Sequence, residues 1–220
     1  MRIALLGGTG DIGEGLALRL ARDTTHEVVV GSRTAEKAAS AVEEYADRLG
    51  DDLTAELSSA ENDDAAVDAD VVAVCVPPYH VSDTVESVAD QLDDAVLVSP
   101  AVGISRDDEG FHYNRPPHGS VAEVAAEAAP DAVPVVGAFQ NLAAGALADL
   151  EHDLGFDVIV TGDDADAKAT VTALVEEIDG LRALDGGALA NSAEVEAMTP
   201  LLINLAVEND GLHDLGVSFH

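Results

Sequence analysis

The sequence predicts an α/β chain: a doubly wound, mostly parallel sheet with a small helical part at the C-terminus. Three observations predict it. Short unbroken apolar runs, Ile3 to Leu6, Val71 to Val76 and Ala95 to Val98, have the length and continuity of strands buried on both faces. Stretches of helical length alternate with them. The first run also passes directly into a glycine turn, Gly7-Gly8-Thr9-Gly10-Asp11-Ile12-Gly13, and then into a helical stretch, Asp11 to Arg22.

That turn carries Gly8-x-Gly10-x-x-Gly13 between a strand and a helix, where a Rossmann-type dinucleotide-binding unit places it. Gly8 is expected to permit the tight turn, Gly10 to let a pyrophosphate approach the backbone, and Gly13 to let the helix pack closely. The free N–H groups and positive dipole end of the helix then face the phosphates.

The second strand, Glu27 to Gly31, should end in an Asp or Glu if the cofactor were NAD. Ser32-Arg33 stands there instead, and Lys37 follows one turn into the next helix. An acid would repel a ribose 2′-phosphate, whereas Arg offers a planar fork of donors and Lys a point charge. The chain has two lysines in all, and one of them is Lys37. NADP is therefore favoured.

Thr34 to Leu49 reads as an amphipathic helix, Leu53 to Leu57 as a third strand and Asn62 to Val67 as a short helix. The run Val71 to Val76 contains Cys75, expected in the core, and Pro77-Pro78 ends it at the edge where such sheets bind ligands. A helix opens at Tyr79-His80 and runs to Leu92; a fifth strand covers Ala95 to Ser99. Gly103 to Gly119 reads as a loop long enough for a functional rim. Ser120-x-x-Glu123 predicts a capping box at the head of a helix to Ala129. Further strands are expected at Val133 to Phe139, Asp157 to Thr161 and Arg182 to Leu184. Helices are expected at Leu142 to Leu150 and Asp164 to Glu177, and after an Asn191 cap to Val207, kinked at Pro200.

Composition bounds the function. Forty-three acidic residues against ten basic ones give a net charge of −33 over 220 residues. The acids are spread between apolar segments, so they describe a surface and not a disordered tail. Such a surface suits a salty cytoplasm, because at ~1 M salt the Debye length is about 3 Å and self-repulsion is screened. It argues against nucleic-acid binding, which needs a basic stripe. No run approaches the roughly 18 apolar residues of a membrane span. Met1 leads straight into the first strand, leaving no room for a signal peptide, and the single Cys75 allows no intrachain disulfide. A cytoplasmic location is expected. The histidines show no metal-ligand spacing, and no metal is expected.

The stretch Leu5-Leu6-Gly7-Gly8-Thr9-Gly10-x-x-Gly13-x-Gly15-Leu16-Ala17, followed by Val29-Val30-Gly31-Ser32-Arg33, resembles the archaeal NADPH-dependent reductases of coenzyme F420. So do Ile178-Asp179-Gly180-Leu181-Arg182-x-Leu184-Asp185, Leu189-x-Asn191-Ser192, Thr199-Pro200-Leu201 and Leu215-Gly216. The resemblance covers nearly the whole chain. It implies hydride transfer between NADP and the C5 of a deazaflavin, in either direction; the acidic composition, separately, points to a halophile as the source. It places Thr9, Gly10, Asp11 and Ile12 at the pyrophosphate and Ser32, Arg33 and Lys37 at the 2′-phosphate. Val76, Pro77, His80 and Val102 fall along the ribose and nicotinamide, Ala144 near the nicotinamide amide, and Leu215 on the deazaflavin side. After the sixth strand the family tends to carry His, Thr, an apolar residue and Pro; this chain reads Gln140, Asn141, Leu142, Ala143.

Hydride transfer between two bound rings needs no protein nucleophile, so no catalytic side chain is expected. Residues 1–185 are expected to form the NADP-binding unit and 186–220 a helical segment closing the deazaflavin pocket, in a homodimer. Two alternatives are an NADPH-dependent reductase of another small carbonyl, imine or flavin, and a non-catalytic NADP sensor.

Overall fold

The computed structural model describes residues 1–220. Ten strands form: β1 (Arg2–Leu6), β2 (Glu27–Ser32), β3 (Glu56–Glu61), β4 (Val71–Val74), β5 (Val96–Ser99), β6 (Ile104–Asp107), β7 (Gly110–Tyr113), β8 (Val135–Gly137), β9 (Phe156–Gly162) and β10 (Leu181–Gly187). The helices are α1 (Asp11–Asp23), α2 (Ala35–Leu49), α3 (Asn62–Ala66), α4 (Val81–Ser87), α5 (Val121–Ala128), α6 (Ala144–Ala148), α7 (Ala165–Glu176) and α8 (Ser192–Glu208).

Eight strands make one sheet in the order β10-β9-β8-β5-β4-β1-β2-β3. Pairings from β3 across to β8 are parallel, β9 runs antiparallel to β8, and β10 is parallel to β9. After β3 the chain crosses to the other side of β1, so a crevice opens beyond the carboxyl ends of β1 and β4. Both faces are covered. Leu16 of α1, Tyr45 of α2, Leu147 of α6 and Val171 of α7 pack on one; Ala65 of α3, Val85 of α4 and Ala125 of α5 pack on the other. Central strands with helices on both faces must be apolar throughout, and β4 and β5 are buried at every position.

Several elements depart from the expectation. The third strand pairs with β2 from Glu56 to Glu61, not from Leu53. Thr54 is tied instead to the end of α1, its Oγ1 donating to the carbonyls of Arg22 (2.8 Å) and Thr24 (2.5 Å). Backbone pairing at a sheet edge, where polar side chains face water, sets that strand more than apolarity does. The expected loop from Gly103 to Gly119 contains a hairpin, β6 with β7, paired antiparallel from Ile104↔Tyr113 to Asp107↔Gly110. The helix expected to reach Leu92 ends at Ser87, and a 3-10 turn follows at Ala89–Gln91. Asn191 does not cap α8 with its side chain; its Nδ2 donates to the Gly186 carbonyl at 2.8 Å. The capping box at Ser120 is half-formed. Ser120 Oγ accepts from Glu123 N–H at 3.0 Å, but the Glu123 carboxylate accepts from Ser120 Oγ (2.9 Å) and not from Ser120 N–H, and the Val121 and Ala122 N–H groups go to the Glu196 carboxylate of α8.

α8 lies across α5 and the hairpin. Asn204 makes a strand-like pair with Phe111, accepting its N–H (2.9 Å) and donating to its C=O (2.8 Å).

Candidate cofactor and substrate site

The glycine turn is built from the inside. Gly7, not Gly8, takes the left-handed conformation of the tight turn, with φ +75°. Gly8 is squeezed instead: a Cβ there would lie 2.8 Å from the Leu5 carbonyl oxygen. A Cβ on Gly13 would lie 2.5 Å from Gly8 Cα, so α1 leaves the turn in backbone contact with it. Gly10 differs. A Cβ there would meet nothing closer than the Gly7 carbonyl at 3.5 Å, an ordinary contact. The protein's own packing does not demand glycine at that position, whereas close approach of a phosphate does. No side chain caps α1, which leaves its first N–H groups free for an anion. Tyr45 Oη fixes the turn by donating to the Gly8 carbonyl (3.1 Å), and Asn62 Oδ1 by accepting from Gly7 N–H (3.1 Å).

Ser32 ends β2 and is buried; Arg33 and Lys37, in the joint and first turn of α2, are exposed. Their surroundings are distinctive because of what the other eight basic side chains do. Arg2, Arg22, Arg48, Lys168 and Arg182 form ion pairs with carboxylates. Arg19 and Arg115 donate to carbonyls, and Arg106 stacks over Phe111. Only Arg33 and Lys37 direct their side chains to no partner in the chain, although acidic residues outnumber basic ones 43 to 10.

A cleft of about 730 Å³ lies beyond the carboxyl ends of β1, β4, β5 and β8, within the size range of small-molecule sites. It brings together Gly10, Asp11, Ile12, Val76, Pro77, Val102, Gln140, Leu142, Ala144 and Leu215. Gly8, Thr9, Gly13, Ser32, Arg33 and Lys37 lie off this cleft, and so does His80, an exposed residue at the head of α4. Sequence reasoning expected the segment 186–220 on this side but did not name its lining residues, Thr199, Leu202, Ile203, Ala206 and Val207 of α8, and it missed Ile104 of the hairpin. The signal was present. From Ala197 to Val207 the chain carries no charge at all.

The floor of the cleft is a strained turn. Phe139 has φ +68°, a conformation that costs a non-glycine residue on the order of 1–3 kcal/mol. Its neighbours hold it. Thr199 Oγ1 donates to the Gln140 carbonyl (2.6 Å), and Asn141 Nδ2 donates to the Asp157 carbonyl (2.7 Å). The Gln140 side chain is buried at 2% exposure, and neither its Oε1 nor its Nε2 has a hydrogen-bond partner. An unpaired buried amide is costly unless something completes it.

α6 carries Ala144 into the cleft and is clasped from behind. A Cβ on Gly15 of α1 would lie 2.5 Å from Leu147 Cβ, so α1 and α6 touch nearly backbone to backbone. Arg19, 1% exposed, donates to the carbonyls of Ala146, Leu147, Asp149 and His152. Arg22 takes the Leu150 carbonyl and Arg48 that of Ala148.

The cleft offers little acid–base chemistry. Its polar side chains are Asp11, Gln140, Asn141, Thr199 and Asp214. Burial pushes the Cys75 thiol up to about 12, so it is no nucleophile at neutral pH. No group of three or more His, Cys, Asp or Glu side chains is placed to hold a metal ion.

The chain is similar to known proteins. Residues 2–103 match a family model described as NADP oxidoreductase, coenzyme F420-dependent. The F420-dependent NADP reductase of Methanocaldococcus jannaschii is 39% identical over 94% of this chain and 93% of its own length. That of Methanothermobacter thermautotrophicus is 41% identical over 95% and 90%. A crystal structure from Arthrobacter sp. FB24, described as an F420-dependent NADP-reductase, superposes with a TM-score of 0.81 at 23% identity, covering 100% of this chain and 99% of that one. Identity of this order along almost the full length of both partners leaves one assignment: the chain belongs to the family of F420-dependent NADP reductases.

Proposed function

We propose that the chain transfers a hydride between NADP and the deazaflavin coenzyme F420, using the cleft as the meeting place of the two rings. One observation carries the NADP half: Arg33 and Lys37 are the only basic side chains left without a partner in the chain, beside the end of β2 where a ribose 2′-phosphate would lie. The uncapped head of α1 and the open face of Gly10 suit the pyrophosphate. Val76, Pro77 and Val102 then line the path toward the nicotinamide, with Ala144 at its amide. When bound, NADP supplies or accepts the hydride at its nicotinamide ring. The chain's own part is to align two flat rings and keep water out, which an apolar cleft does without a protein nucleophile.

The deazaflavin half rests on family membership and on Leu142, Ala143, Ala144 and Leu215, an apolar wall suited to a flat ring. The unpaired amide of Gln140 lies behind it as a donor and acceptor for a ring edge. Residues 186–220 are the segment that closes this side. The test is to mix the protein with NADPH and oxidised deazaflavin in molar salt and follow the deazaflavin's visible absorbance. Bleaching is expected; NADPH oxidation with a simple carbonyl but never with the deazaflavin would refute the reading. Leu215→Asp should abolish bleaching, because burying a charge against a stacked ring costs several kcal/mol. NADPH binding at the distant turn should survive.

A homodimer is part of this reading. Leu201, Leu205 and Val207 stand exposed on an uncharged stretch of a strongly acidic chain, the surface where two copies meet with least repulsion. Sedimentation velocity in molar salt tests it. The single free Cys75 fits a reducing cytoplasm, and the charge of −33 disfavours nucleic acid.

A further inference from the structure

Asp157 is the second residue of β9. Because β9 runs antiparallel to β8, its first residues lie where β8 delivers the chain into the floor of the cleft. All of its polar groups are engaged. Its N–H donates to the Val217 carbonyl at 2.8 Å, and its C=O accepts from Asn141 Nδ2 at 2.7 Å. Oδ1 accepts from Arg182 Nε (2.7 Å); Oδ2 accepts from Arg182 Nη2 (2.7 Å) and from Phe219 N–H (2.6 Å). Arg182 Nη2 also reaches the Phe219 carbonyl at 2.6 Å. The carboxylate is 2% exposed in a chain most of whose acids populate the surface; Glu196 is the other wholly buried one.

One side of this residue is therefore the floor of the cleft, through Asn141, and the other is the C-terminal tail. Leu215, a wall of the cleft, lies two residues before Val217. The residue between them, Gly216, lies flat on the Phe156 ring, which fills the space a side chain would need. So short a connection passes the position of the tail to Leu215 with little slack.

We propose that Asp157 is a positioning residue for the second ring: it fastens the tail to the floor of the cleft so that Leu215 stands as a wall. The proposal rests on the reading above that this side of the cleft takes the deazaflavin. The Arg182 guanidinium holds the Asp157 carboxyl below the usual carboxylate range, so the fastening stays ionised through the neutral and mildly acidic range.

The test uses the full chain and two readouts. Asp157→Asn keeps the shape and the backbone bonds but removes the ionic acceptor. Hydrogen exchange of the C-terminal segment, measured without any ligand, should quicken by about 10-fold or more, the scale of a lost charged hydrogen bond. In steady-state assays the KM for the deazaflavin should rise by a similar factor, with NADPH affinity changed less than about 2-fold. Arg182→Lys keeps the charge but loses the fork and should show the same pattern, more weakly. Leu215→Ala supplies the decisive cycle. If Asp157 acts through Leu215, adding Asp157→Asn to Leu215→Ala raises the deazaflavin KM no further. Additive effects, equal loss of both cofactors, or unchanged exchange would overturn the proposal. Should the unmutated protein ignore the deazaflavin altogether, the functional reading fails, and the exchange measurement still decides whether Asp157 fastens the tail.

Discussion

Arg33 and Lys37 show how a single side chain's surroundings can speak for an absent ligand. A basic side chain in this chain has carboxylates in every direction, and eight of the ten have settled on a carboxylate, a carbonyl or a ring. Arg33→Ala should weaken NADPH binding about 10- to 150-fold, the range of a lost charged hydrogen bond, and leave NADH nearly unchanged. Titration of both nucleotides checks it; equal losses would remove the 2′-phosphate argument. The place of these two residues, just past the end of β2 and in the first turn of α2, was legible in the sequence because the glycine turn and the strand that follows it were. Gln140 was legible only as a departure from a family pattern. That its amide is buried and unpaired depends on Gly137 and on Thr161 and Ser192 crowding around it, the last two far from it in sequence. The exchange of Gly7 for Gly8 at the left-handed position was not legible either, since either glycine can adopt that conformation and only the hydrogen bonds to Leu5 and Gly31 choose between them.

Three elements meet at Glu196. It leaves α8 to take the first N–H groups of α5 and the Tyr113 hydroxyl of β7, and it is wholly buried. Burial pushes its carboxyl up to about 7, against the opposing pull of those hydrogen bonds. The folded state therefore keeps a proton that the unfolded chain releases near its ordinary value of about 4.5. The resulting stability is complete below about pH 4.5 and is lost as pH rises to about 7, by an amount on the order of 3 kcal/mol. Glu196→Gln cannot ionise. Its stability relative to the parent should therefore improve as pH rises through that window, and chemical denaturation at several pH values would show it. A parent and variant whose curves stay parallel would contradict the assignment. At this scale the central strands were plain in the sequence, because a strand buried on both faces has no choice but apolarity. The β6–β7 hairpin was hidden: Arg106, Asp107, Asp108 and Glu109 give it the composition of a loop. Its order comes from Asn204 of α8 bonding Phe111 and from Tyr113 bonding Glu196 of α8, contacts between segments some ninety residues apart.

For the whole molecule, a charge of −33 sets the dependence on medium. The melting temperature should fall as salt is lowered from molar to millimolar, since a longer Debye length restores repulsion between surface carboxylates. A flat profile would show that the acids are spaced widely enough not to matter. Charge was fully legible in the sequence, and so was the doubly wound, mostly parallel class of the sheet. The antiparallel turn-about at β9 was not, because an apolar run fixes burial without fixing direction. It is this reversal that brings Asp157 to the cleft. The acidic surface and the clasp between α1 and α6 answer to different physics. Arg19 grips carbonyl dipoles at close range with its own side chain 1% exposed, so dissolved ions shield these bonds far less than they shield the surface carboxylates. Brine tunes the coat far more than it tunes the buried bonds of the clasp. An engineer could therefore trade surface carboxylates for amides to obtain a protein suited to dilute buffer, sparing Glu14 and Asp23, which pair with Arg48 and Arg22, and the joint that presents Ala144 to the cleft would keep its Arg19 bonds.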